Sequence, residues 1–158
     1  MAIIGQYMAV SQAEILELSQ GKRLFQELNR NDYEGLDIDR SWEGVHFLLC
    51  NQSDNGNPPE GYVVPLLNDQ FLNFLDFGAF YLHDEQVKEA VTYLNALTPE
   101  ELRKKYTSET FVKEKIYPLF SEEDIEGFWE YLKMNLDNIA AFYRKATSQG
   151  QGIIFYII

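Results

Sequence analysis

Two carboxylates, an indole and an imidazole fall within ten residues of one another: Asp37, Asp39, Trp42 and His46. A carboxylate beside an imidazole can hold a proton and pass it on, so these four could line a cleft with His46 as general base. Cys50 follows His46 by four residues, one helical turn, where a thiol and an imidazole could meet as a nucleophilic pair. Each residue also has a structural reading. An inward imidazole is commonly a neutral core group hydrogen-bonded to backbone. A lone cysteine usually packs as a small hydrophobe.

The acidic run Asp32, Glu34, Asp37 and Asp39 looks at first like a calcium loop. Counted from Asp37, its sixth position is Trp42, where the turn needs glycine; counted from Asp32, Leu36 falls on a ligand position. With two histidines and a single cysteine, neither a histidine-rich nor a cysteine-based metal cluster can be built, and no intrachain disulfide can form. There is no G-x-G-x-x-G, no phosphate-binding loop, no G-x-S-x-G and no H-E-x-x-H. The expectation is a protein with no metal and no cofactor.

Charge narrows the partners. The formal net charge is −12, and residues 1–79 carry 12 acids against 4 bases. Such a surface repels phosphate backbones, which argues against nucleic acid. It suits a basic protein partner, although negative charge also serves simply to keep a protein dissolved. The first ten residues lack a basic signal-peptide region, and no apolar run approaches the ~20 residues of a membrane helix. A cytoplasmic protein with no membrane contact is expected, folded as one domain over residues 1–158.

The elements that must position these residues are readable from pattern. Residues 2–10 favour a strand, and Ser11 with Glu14 forms a capping box for a short helix that Gly21 ends. With Asp39 as cap, Trp42, Val45, His46 and Leu49 share one helical face. Residues 51–61 are a loop; Val63–Leu67 and Phe77–Leu82 read as strands. His83 or Asp84 caps a helix with Val87, Ala90, Val91 and Leu94 inward, and Thr98-Pro99-Glu100-Glu101 starts another. Ser108 starts a third. The longest helix begins at Ser121, with the stripe Ile125, Phe128, Trp129, Leu132, Leu136, Ile139, Ala140 and Tyr143. The closing IIFYII (153–158) is apolar on both faces, hence interior to a sheet. The fold class is α+β: a small sheet of N-terminal, central and C-terminal strands covered by helices, one of them long and C-terminal.

On these residues the chain resembles the YfbM-like bacterial proteins, a family named as a domain of unknown function (1877). The segment LDIDRSWEGVHFLL (36–49) is similar to the family's acidic lead, tryptophan and Leu-His-Phe-Leu-Leu run, with Trp42, His46, Phe47, Leu48 and Leu49 matching. FGAFYLHDEQV (77–87), IYP (116–118), AFYRKA (141–146) and the closing strand follow in the family's order. The resemblance implies an α+β fold and brings no catalytic residues with it. It also implies threonine then glycine where this chain has Cys50 and Asn51, so a thiol mechanism would not be shared.

The leading functional expectation is a non-enzymatic interaction domain, of the inhibitor or immunity type, for a basic protein. The alternative is a hydrolase with a cleft at Asp37, Asp39, Trp42 and His46. A third reading is a structural subunit of an oligomer.

Overall fold

The last strand organises the molecule. In a computed structural model that describes residues 2–118 and 125–158, β5 (Gln151–Ile157) is the central strand of a five-stranded antiparallel sheet. On one side it pairs with β1 (Gly5–Ser11), which pairs with β2 (Gly35–Asp37). On the other it pairs with β4 (Ala79–Leu82), which pairs with the two-residue β3 (Phe71–Leu72). Successive strand side chains point to opposite faces, so one register sorts the core in two. Tyr7, Ala9, Phe80, Leu82, Ile153, Phe155 and Ile157 enter one hydrophobic cluster. Met8, Val10, Ala79, Ile154 and Tyr156 enter a second on the reverse face.

The first face is thickly covered. Over it lie α2 (Trp42–Cys50), α3 (Asp84–Ala96) and α6 (Ile125–Ser148). The α6 stripe from Phe128 to Tyr143 is buried as its spacing predicts. Gly44 lets α2 and α6 close together, since a Cβ there would meet Leu132 Cδ2 at 2.6 Å. Two short helices, α4 (Pro99–Lys105) and α5 (Ser108–Lys113), add Leu102 and Phe111 to this core. The start of the long helix at Ser121 lies outside the described residues.

The second face is thinly covered. α1 (Gln12–Ser19) supplies Ile15 and Leu18 behind its Ser11–Glu14 capping box. Phe25, Leu28 and the partly buried Phe74 complete the layer from single 3₁₀ turns and a hairpin loop. No helix among the described residues is long and apolar enough to cross a membrane.

Two sequence expectations are corrected. Val63–Leu67 is not a strand but a buried, irregular segment after a 3₁₀ turn at Glu60–Tyr62. Its polar backbone is satisfied from elsewhere: Tyr7 donates to the Val63 carbonyl at 2.6 Å, and Tyr143 to the carbonyls of Tyr62 and Val63, both at 2.8 Å. Pro65 removes an N–H that a ladder would need. Nor does Asp39 cap α2. It opens a 3₁₀ turn, Asp39–Ser41, and Ser41 stands at the helix N-cap.

Candidate functional site

Asp37 is the last residue of β2, and its two oxygens have separate tasks. Oδ1 accepts the Asp39 amide at 2.7 Å, and Oδ2 accepts the Gln6 side chain at 3.0 Å. The first contact is a local turn of the kind aspartate makes with backbone two residues on. It carries the chain through Asp39, whose φ of 53° is a left-handed conformation that aspartate tolerates better than most residues. Asp39 Oδ2 then accepts the Tyr131 hydroxyl of α6 at 2.7 Å, and that hydroxyl accepts the Arg40 amide at 3.0 Å. Burial, helped by the bond to Asp39, pushes the Tyr131 phenol well above its ordinary range, so it stays a donor. The two aspartates thus fasten the β2–α2 connection to β1 and α6.

Trp42 and His46 share the α2 face but reach apart. The Trp42 indole donates to the Ile3 carbonyl at 2.9 Å and tilts against Tyr117. His46, 1% exposed, faces the loop that follows its own helix. Its Nδ1 lies 2.9 Å from the Gln52 carbonyl and its Nε2 2.8 Å from the Asn55 carbonyl. Neither Asp37 nor Asp39 is among its hydrogen-bond partners. Burial pulls the imidazole below its ordinary value, while the two carbonyls and the Asp54 charge oppose that shift. A neutral ring has one N–H and can donate to only one of these carbonyls, whereas a protonated ring could donate to both; in either state the ring faces residues 52–55.

Cys50 is half-buried at the end of α2. Burial, with Glu60 adding to it and Lys105 opposing, pushes its thiol up to about 12, far from the thiolate that a nucleophile needs. Among the described residues no group of three or more histidine, cysteine or acidic side chains is placed to hold a metal ion.

The family model for Domain of unknown function (DUF1877) matches residues 1–156. The chain belongs to this family. A solved structure titled as a protein of unknown function, YfbM from Escherichia coli, superposes with a TM-score of 0.78 at 22% identity, covering 98% of this chain and 99% of that one. That likeness shows the shared α+β fold. No curated protein matches the chain.

Two arrangements were not visible to sequence reasoning. Gln70 and Gln86 pair their side-chain amides at 2.9 and 2.8 Å, and Gln12 bonds the His83 ring and the Asp84 amide, locking α1, β4 and the start of α3 together. Scattered glutamines carry no periodic signal. The second is the β3–β4 hairpin, where large apolar groups stay exposed: Phe71 at 46%, Leu75 at 71% and Phe77 at 45%. Phe71 lies on the edge strand β3, and Leu75 and Phe77 lie in the loop between β3 and β4, so none of the three is covered by a neighbouring strand.

Proposed function

We infer that this is a protein-interaction domain that takes a basic partner on the β3–β4 hairpin. The observation that carries the reading is the hairpin itself. Three large apolar side chains are exposed within seven residues, and Leu75 stands at the tip with φ 46°. Exposed Asp69 and Asp76 lie beside them. No lysine or arginine occurs between Arg40 and Lys88, whereas seven acids do. An apolar centre with a charged rim is the usual build of a protein contact surface, and this rim has one sign. A small acidic inhibitor of a basic enzyme has this combination. The non-catalytic reading is further supported by Asp37, Asp39, Trp42 and His46, each of which is committed to a separate structural contact.

The test compares proteins captured from source-cell lysate by the wild-type chain and by Leu75→Asn, which removes the apolar tip without changing charge. A basic protein held at about 0.15 M salt, shed near 1 M, and not held by the variant is the expected result. Equal capture by both chains, or capture indifferent to salt, overturns the reading.

A further inference from the structure

The second face carries a concavity of about 340 Å³. Its walls are Phe25, Leu28 and Phe74, the first two buried and the third partly so. Its rim is Gln26, Asn29, Arg30 and Asn31. In a chain of net charge −12, none of the described carboxylates lines it. The frame is two successive 3₁₀ turns, Phe25–Glu27 and Arg30–Asp32, closed by Leu28 N to Phe25 O at 3.1 Å and Asp32 N to Asn29 O at 2.9 Å.

Arg30 is unlike the other arginines. Arg23, Arg40 and Arg103 each have a carboxylate within 4.0 Å, and Arg144 bonds the Asn95 side chain at 2.9 Å. Among the described residues Arg30 has no ion pair; its guanidinium is stationed 5.5 Å over the Tyr156 ring, and Tyr156 is held by a hydroxyl bond to Gln6 at 2.9 Å. A cation–π contact draws the guanidinium to the ring without using its N–H groups, which stay available to a carboxylate. The Gln26 and Asn31 side chains and the Asn29 amide nitrogen add donors with no acceptor among the described residues; Asn29 Oδ1 takes the Asn31 amide at 3.1 Å. We propose that this concavity is a binding site for a small aromatic carboxylate, its ring against Phe25 and Phe74 and its acid on Arg30. Glu27 and Asp32 belong to the same two turns but are exposed and absent from the lining, and acids farther than about 8 Å are largely screened at physiological salt.

Phenylacetate, phenylacetamide and N-acetylphenylalanine are titrated against the ¹⁵N-labelled full chain at constant ionic strength. Saturable amide shifts confined to residues 25–31 and 74 are expected, with the acid binding about tenfold or more tighter than its amide, as a charge-assisted bond implies. Arg30→Gln should abolish that preference with an unchanged melting temperature. Tighter binding of N-acetylphenylalanine identifies a peptide C-terminus as the source of the carboxylate; tighter phenylacetate identifies a free acid. Scattered shifts, no saturation, or equal affinity for acid and amide overturn the site. Leu75→Asn should leave this titration unchanged, so the failure of one proposal is distinguishable from failure of the other.

Discussion

The two faces of the sheet are built to different standards. On one, α2, α3 and α6 bury Leu132, Ile139, Val45 and Val87 completely. On the other, one short helix and two 3₁₀ turns do the covering, and apolar side chains are left in solvent. Of the residues that look chemical in the sequence, Asp39, Trp42, His46 and Cys50 lie at or beside the thick face, while Asp37 shares the reverse side of the sheet with Gln6 and Tyr156; all are held in structural contacts. The groups left without a charged partner or a cover lie elsewhere: Arg30 over Tyr156 on the thin face, and the apolar side chains of the β3–β4 hairpin at the sheet edge. A binding surface is better sought where covering is incomplete than where reactive residue types cluster.

The largest expected effect tests that contrast directly. Leu132→Ala should cost about 2–5 kcal/mol, because α2 and α6 meet around it and cannot collapse into the void. Leu28→Ala on the thin face should sit near the low end, since its site adjoins an open concavity. Denaturant midpoints decide; equal losses would mean the two layers are equally rigid. Next, Tyr143→Phe removes the hydroxyl shared between two loop carbonyls and should cost about 1–3 kcal/mol. Amide exchange should rise first around residues 60–67. A uniform rise over the whole chain would show that this segment is not anchored separately.

A smaller effect comes from His46. The ring titrates near 6.5 when unfolded, and burial holds it lower in the fold, against the pull of the Asn55 and Gln52 carbonyls. The unfolded chain therefore binds the proton first as pH falls. Stability from this group is complete above about pH 7 and declines as pH drops through 6.5 toward the folded value. Carboxylates contribute their own slope at lower pH, so the comparison is with His46→Gln, which should lack the decline between pH 7 and 6. Imidazole NMR shifts give the direction independently. Titration above 6.5 would show that the two carbonyls hold a cation and that the loop is clamped by charge.

Much of the architecture was legible because it rests on local rules. The closing strand's apolar faces placed it at the sheet centre, and the Phe128–Tyr143 stripe gave the helix register. The Val63–Leu67 segment misled because its apolar, β-branched residues also suit a buried loop. What decides between the two is a pair of tyrosine hydroxyls 56 and 80 residues away. Asp37 and Asp39 are ambiguous differently: the spacing that lets aspartate share a proton with an imidazole also lets it close a turn, and here Asp37 accepts the Asp39 amide. Arg30 gave no signal, since the concavity depends on two 3₁₀ turns without periodicity and on Phe74 from a distant hairpin.

The smallest expected effect falls on the hairpin tip, and its smallness is the point. Leu75 holds φ 46°, a conformation that costs a non-glycine residue on the order of 1 kcal/mol and that asparagine tolerates better. Against this relief stands the apolar surface Leu75 still buries, under a third of its side chain, worth about 1 kcal/mol at 25 cal/mol per Å². The two nearly cancel, so Leu75→Asn should shift stability by no more than about 0.5 kcal/mol in either direction. Thermal and urea midpoints measured beside wild type check this. A large, apolar, exposed residue that can be exchanged at no cost to the fold lets partner capture be compared between two equally stable chains. A loss above about 2 kcal/mol would instead make the tip part of the core and withdraw the hairpin from the proposed contact surface.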